Sequence, residues 1–248
     1  RDYYASRGLG DVYKRQMSYG EISNLDEREN VVLVKRDGKN YVKKILSTYN
    51  ESVYRYLICH PIAHMPQISK VYRGDRYLVI IEEYIEGSSL SEYLKKGIFK
   101  PTEAVHIVRN LCCILNELHT LECPIIHRDI NPSNVMLTKS GEVVLLDMNV
   151  AKWYDSEEKE DTRLLGTKDY AAPEQVGYGM KASSNKTDIY AVGILLNVML
   201  TGKFPKEKPA QGKLWNVIER CISLDANSRY RADELIAVSY THLTLPTI

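Results

Sequence analysis

No apolar run in this 248-residue chain is long enough to cross a bilayer. The longest apolar-leaning stretch, Ile189–Leu200 (IYAVGILLNVML), has 12 residues and contains an Asn. A spanning helix needs roughly 20, so this stretch reads as a buried helix. Cysteine is scarce: Cys59, Cys112, Cys113, Cys123 and Cys221 form no CxxC pair, which argues against a disulfide scaffold or a zinc site and fits a reducing cytoplasm. Charge of one sign is missing too. With 33 Lys+Arg against 32 Asp+Glu, nothing points to nucleic acid or an anionic membrane surface as a partner. Internal repeats and low-complexity linkers are also absent. What remains is an ordinary globular mix, 44% apolar and 26% charged, long enough for one domain or two closely packed lobes.

The two ends look alike at the level of DNA. Residues 11–16 read DVYKRQ, which back-translates as GAT GTG TAT AAG AGA CAG. The reverse complement, read two bases in, encodes VSYTH, the residues at 238–242. One element and its complement at opposite ends fits library construction, and the string resembles the end sequence of a transposase used to make sequencing libraries. Residues 1–16 and 238–248 are therefore expected to be adaptor-derived, with Met17 a natural start.

Between them, Val31–Lys35 and Asn40–Leu46 alternate or are β-branched and are joined by Arg-Asp-Gly-Lys, a strong hairpin signal. A short helix is expected over about 48–58, stopped at His60-Pro61, and a strand over 76–83. A short helix follows at 90–95. Pro101 then opens a long helix, in which Val105, Val108, Leu111, Leu115 and Leu118 recur at helical spacing. Val143–Leu146 reads as a short buried strand, and helices are expected at 188–200, 213–223 and 232–237. The pattern is α+β, with a small strand-rich front (17–85), a larger helical back (86–237) and a cleft between the two.

The sharpest string is His127-Arg128-Asp129-Ile130-Asn131-Pro132-Ser133-Asn134, followed by Asp147 at the end of the run VVLLD. Phosphoryl transfer needs such a set: one Asp to accept the attacking hydroxyl's proton, an Asn and a second Asp as oxygen ligands for magnesium on the nucleotide phosphates. The spacing is far more specific than any lone Asp/Asn pair.

Here the chain resembles the eukaryotic-type protein kinases, as found among bacterial Ser/Thr kinases, from about Tyr19 to Ala237. Gly166–Glu174 (GTKDYAAPE) looks like the family's substrate-positioning segment, which includes Thr167. Asp188–Gly193 (DIYAVG) resembles the start of its large buried helix, and Leu224–Arg229 (LDANSR) its late D-P-x-x-R. The resemblance implies a bilobal kinase fold, ATP and Mg²⁺ as cofactors, a protein substrate, and an ion pair between Arg229 and Glu174. It also implies that Asp129, Lys44, Asn134 and Asp147 are catalytic, with Asn134 and Asp147 on the metal. Lys44 is preferred over Lys43 because period-2 alternation puts the small Val42 on its face, whereas Lys43 would bring Tyr41 toward adenine and is expected to be solvated. Glu51 is the expected partner of Lys44. Val31 and Val42 would line the adenine site, and the backbone of Glu83, Tyr84 and Ile85 would bond the adenine edge, with Glu82 at the back of the pocket.

The pattern breaks in places. No G-x-G-x-x-G precedes the hairpin; Asp26-Glu27-Arg28-Glu29-Asn30 stands there instead, without the glycines that let backbone N–H groups approach phosphates. The family's D-F-G is Asp147-Met148-Asn149, and its catalytic-loop Lys is Asn131, which removes a charge from the γ-phosphate. Pro132 and the lack of an Ala-Arg pair favour the Ser/Thr branch over the Tyr branch. The acidic run 155–161 reads as a solvated loop; alternatively one of its carboxylates pairs with Arg128 in place of a phosphate, and Thr162 is the candidate phosphosite. The expected function is thus an ATP- and Mg²⁺-dependent Ser/Thr protein kinase, cytoplasmic, monomeric or weakly dimeric. The competing readings are a pseudokinase-like binding module and a small-molecule kinase, the latter disfavoured by Ala-Pro-Glu with Arg229.

Overall fold

The computed structural model describes residues 19–25, 30–154, 167–176 and 183–244, with side chains up to 239. The acidic stretch 26–29, the run 155–161, Thr162 and Gly166 lie outside the described residues. The chain divides into two compact units, 1–86 and 87–248.

The described residues of the first unit form one antiparallel sheet and a helix. Strands β1 (Gly20–Asn24), β2 (Val31–Arg36), β3 (Lys39–Leu46), β4 (Ile68–Arg73) and β5 (Leu78–Glu83) lie in the order β1-β2-β3-β5-β4. The expected hairpin is β2–β3. Asp37 and Gly38 turn it with φ of 50° and 79°, the pair of positive values that a tight turn matched to strand twist requires. β5 is buried along Leu78–Glu82, hydrogen-bonded on both sides, and its unbroken apolar run Leu78–Ile81 suits a central strand. Helix α1 (Glu51–Cys59) buries Val53, Tyr54 and Leu57 and packs against β4. It starts at Glu51, three residues later than the periodicity suggests.

The second unit is mainly helical. A three-stranded sheet, β6 (Gly87–Ser89), β8 (Val135–Thr138) and β9 (Val143–Leu145), and the pair β7 (Ile125–Ile126) and β10 (Lys152–Trp153) carry its loops. Gly87 is needed because a Cβ there would lie 2.3 Å from the Leu137 carbonyl oxygen. Helix α2 (Leu90–Lys96) is capped by Ser89, whose Oγ accepts from the Glu92 N–H while Glu92 accepts from the Ser89 N–H. Helix α3 (Pro101–His119) buries the stripe expected of it. Helix α4 (Asn185–Thr201) is buried from Thr187 to Met199 except at Tyr190. The Asn inside its apolar run has a purpose: Asn197 Nδ2 donates to the Lys203 and Lys208 carbonyls, and its Oδ1 accepts from the Ala210 N–H. Gly193 admits α5 (Lys213–Cys221), since a Cβ there would stand 2.6 Å from Cys221 Cβ. Helix α6 (Ala232–Thr244) packs against α3 and runs on through residues 238–244.

One ion pair ties the 3₁₀ turn Pro173–Gln175 to the segment before α6. Arg229, buried, donates from Nη1 and Nη2 to the two oxygens of Glu174 at 2.7 and 2.9 Å. Two more of its N–H groups, Nε and the second of Nη1, donate to the Ser223 and Lys186 carbonyls, and its guanidinium lies over the Tyr190 ring. Burial pushes the Glu174 carboxyl up, but the Arg229 bonds and charge, with the Thr187 hydroxyl, outweigh it and hold its pKa below the ordinary glutamate range. A depressed folded pKa contributes stability that is present above the unfolded value and lost as pH falls through the folded one. Glu174→Gln should therefore cost about 3 kcal/mol at neutral pH, because it leaves a buried guanidinium uncompensated. The gap from wild type should narrow below about pH 4.3. Urea unfolding at neutral pH and at pH 3.5–4 checks both; a gap that stays constant or widens would contradict the pairing.

Candidate active site

In the first unit, the strand register decides which residues share a face. Val31 lies opposite Lys44, Leu33 opposite Val42, and Val42 opposite Glu82 on the other side. Directly opposed residues point the same way, so Val31, Val42, Lys44 and Glu82 occupy one face of the sheet. Lys44 Nζ reaches Glu82 Oε1 at 2.7 Å, both side chains nearly buried. The reach is a diagonal one: Glu82 faces Val42, two residues before Lys44.

Two expectations are corrected here. Glu51 does not pair with Lys44; its carboxylate holds Arg55 at 2.6 Å and Arg73 at 3.3 Å. The physical reason is position, for Glu51 is the first residue of α1 and its side chain meets the next turn of its own helix and the end of β4. Nor is Lys43 solvated. Its side chain, on the opposite face, is 8% exposed and bonds Glu21 of β1, so the sheet gives each of the two neighbouring lysines its own carboxylate. At the end of β5 the Glu83 N–H donates to the Gln67 carbonyl at 2.9 Å, so that donor is occupied; Tyr84 and Ile85, half-buried, follow beyond the strand.

In the second unit the loop after β7 and the entry to β8 form one hydrogen-bonded knot. Asn134 donates from Nδ2 to the carbonyl oxygen of Asp129 and to its Oδ2, both at 2.9 Å. Oδ1 of Asp129 accepts from Thr167 twice, from N–H at 2.7 Å and from Oγ1 at 2.8 Å. The Asn134 carbonyl accepts from the Leu146 N–H at 2.7 Å, one step past the Val135–Leu145 pair. That bond puts Asn134 beside the residue preceding Asp147. The Asp147 carboxylate accepts from the N–H and Nδ2 of Asn149.

Two residues of this unit hold left-handed backbones that side chains rarely adopt, Arg128 at φ 69° and Asp147 at φ 67°. Each costs roughly 1–3 kcal/mol and persists only where surroundings over-determine it. For Arg128 the surroundings are plain. Asp188, buried at the start of α4, accepts the Arg128 N–H on Oδ1 at 2.8 Å, and the His127 N–H and His119 Nε2 on Oδ2 at 3.0 and 2.8 Å. Burial pushes its carboxyl up, but the His119 bond and charge and the backbone donors prevail and its pKa lies below the usual aspartate value. Gln175, buried, donates to the Arg128 carbonyl and accepts from the Ala172 N–H. The His127 ring accepts the Asp129 N–H at Nδ1 and donates from Nε2 to the Leu146 carbonyl.

The structure thus joins Asp129, Asn134 and Thr167 in one network, braced by Asp188 through the neighbouring Arg128, with Asp147 one residue past the Asn134–Leu146 bond, and sets the Glu174–Arg229 pair beside the same helix. His119, Gln175 and Glu82 were not singled out as partners by the sequence. Only the Glu in the otherwise apolar strand β5 offered a signal, since a charge at a buried strand position demands a counter-ion.

The donor set suits a hard cation. Both amide hydrogens of Asn134 are directed at Asp129, so its Oδ1 could serve as a ligand together with the Asp147 carboxylate. Among the described residues no group of three or more His, Cys, Asp or Glu could hold a metal. A cation on this amide and carboxylate would complete its shell with water or phosphate oxygens, the habit of magnesium.

Residues 18–233 match the family described as protein kinase domain. Mitogen-activated protein kinase kinase 1 of Arabidopsis thaliana is 35% identical over 144 residues, 56% of this chain and 39% of that protein. Serine/threonine-protein kinase PrkC of Bacillus subtilis is 34% identical over 145 residues, 56% of this chain and 22% of its own length. Serine/threonine-protein kinase A of Synechocystis is 35% identical over 136 residues, 50% of this chain and 26% of that protein. The chain spans well under half the length of these relatives. With the family's model matched over most of the chain and the Asp129–Asn134 pair formed, the chain belongs to the protein kinase domain family.

Proposed function

We propose that the chain is the catalytic domain of a serine/threonine protein kinase, which transfers the γ-phosphoryl group of ATP to hydroxyls of a protein substrate with Mg²⁺. The observation that carries this reading is the Asp129 carboxylate, oriented from both sides by Asn134 and Thr167 in a chain of this family. A carboxylate so fixed can orient a hydroxyl and accept its proton. Asn134 and Asp147 would hold the cation, which when bound offsets charge on the phosphates. Lys44, kept in place by Glu82 rather than Glu51, would hold the phosphates; Val31 and Val42, on the same sheet face, would line the adenine site. At the adenine edge, the occupied Glu83 N–H leaves the carbonyls and the later amides of Glu83–Ile85 to make the bonds. Thr167 and the turn containing Glu174 would position the peptide. Arg128 and Thr162 would regulate the activity.

Transfer to Ser or Thr rather than Tyr is supported by Pro132, by the absence of an Ala-Arg pair in the catalytic loop, and by the names of the bacterial relatives. No helix among the described residues is long and apolar enough to cross a membrane. The balanced charge supports a domain that does not bind nucleic acid; we read it as cytoplasmic and as monomeric or weakly dimeric.

Incubated with ATP and Mg²⁺, the chain should gain phosphate on its own Ser or Thr residues, read by intact mass and site mapping. Asp129→Asn should slow this by about 10²- to 10⁴-fold, the range for loss of a positioned base. Asp147→Asn should abolish the dependence on Mg²⁺ along with the activity. No added phosphate in wild type, or phosphate on tyrosine alone, would contradict the proposal.

A further inference from the structure

Asn131 stands where the resemblance leads one to expect a lysine, yet it is 5% exposed and fully engaged by the protein. Its Nδ2 donates to the Asp129 carbonyl at 3.2 Å and to Thr167 Oγ1 at 3.0 Å. Its Oδ1 accepts the Ser133 N–H at 2.9 Å. Both amide hydrogens are therefore used within the protein, one in the loop and one on Thr167, and neither is left for a phosphate.

The direction of these bonds matters more than their number. An amide N–H can only donate, so Asn131 fills an acceptor position on Thr167 Oγ1 and turns the hydroxyl hydrogen elsewhere. The remaining partner of that hydroxyl is Asp129 Oδ1, at 2.8 Å, which can only accept. Oδ1 then carries two donors, the Thr167 N–H and the Thr167 hydroxyl, and its two lone pairs are taken. Oδ2 carries one donor from the described residues, Asn134 Nδ2, and keeps one lone pair.

We propose that Asn131 is a positioning residue that acts through Thr167: by fixing the Thr167 hydroxyl on Oδ1, it assigns proton acceptance to Oδ2 of Asp129. The inference rests on the phosphotransfer reading above. In the step it describes, the substrate O–H bond breaks and its proton passes to Oδ2. The hydroxyl oxygen forms a bond to the γ-phosphorus, and the bond from that phosphorus to the β,γ-bridging oxygen breaks with its electron pair staying on ADP. Asn131 touches none of the reacting atoms. In this chain the loop exchanges a mobile positive charge for a fixed hydrogen-bond direction.

Asn131→Asp tests this with almost no change of shape. The carboxylate keeps an acceptor for the Ser133 N–H but has no hydrogen for Thr167 Oγ1, and it competes with Asp129 for the Thr167 hydroxyl hydrogen. Thr167→Val removes that hydroxyl in a side chain of the same size. In the full chain, the Thr167 amide should exchange with solvent at least about tenfold faster in Asn131→Asp than in wild type, as its bond to Oδ1 loosens. The variant's kcat should fall about a hundredfold, with KM for ATP nearly unchanged, as expected when only the reacting geometry is lost. Thr167→Val should lose a similar factor, and the double variant should be little slower than Thr167→Val alone. Unchanged Thr167 exchange in a variant that melts as wild type does, or single losses that multiply in the double variant, would overturn the inference. A wild type without phosphotransfer would overturn the proposed activity and the catalytic half of this inference, while the exchange rates would still decide the positioning half.

Discussion

The carboxylate of Asp188 accepts two backbone N–H groups, from His127 and Arg128, and a third hydrogen bond from His119, all inside a buried helix start. The loop from His127 onward hangs from those bonds. They hold Arg128 in a left-handed conformation that its side chain disfavours. The loop from His127 to Asn134 is in turn bonded to β9's exit through His127 and Asn134. An unpaired carboxylate at such a site would be prohibitive, so the two backbone donors and the imidazole are a requirement of the fold as much as a consequence of it. The geometry of this loop is therefore set by the start of α4, and the short segment itself has little freedom of its own.

A similar economy of charge governs the sheet of the first unit. Lys43 and Lys44 are neighbours in sequence on opposite faces, and each is covered and matched to one carboxylate, Glu21 or Glu82. The pairing follows from register. β5 places Glu82 across from Val42, which brings it within diagonal reach of Lys44, while α1 turns Glu51 toward Arg55 in its own next turn and Arg73 at the end of β4.

Much of this was legible in the sequence. The Asp37-Gly38 turn marks β2–β3, the 3.6-residue stripe marks α3, and Asp129 with Asn134 and Asp147 marks the site, because each pattern follows from local chemistry. Partners across the fold were harder to read. Lys44 and Glu82 are 38 residues apart and meet only through strand register; nothing local distinguishes Glu82 from Glu51 until the starting point of α1 is known. Lys43 looked solvated because alternation reports which face a side chain takes, and says nothing of what covers that face. Asn131 read as a missing charge, since the sequence shows the residue type but not the two acceptors to which its amide is committed.

The most direct test is to replace Asp188 by Asn in the full chain and measure stability and phosphotransfer together. The amide turns one of the two accepting oxygens into a donor that confronts N–H groups already pointing at it. The variant should lose about 3 kcal/mol or more of unfolding free energy, as when one member of a buried polar set is removed. The fraction that remains folded should transfer phosphate at no more than about a hundredth of the wild-type rate, because the loop geometry goes with the bonds. A folded variant with wild-type activity would contradict the claim that this carboxylate sets the site.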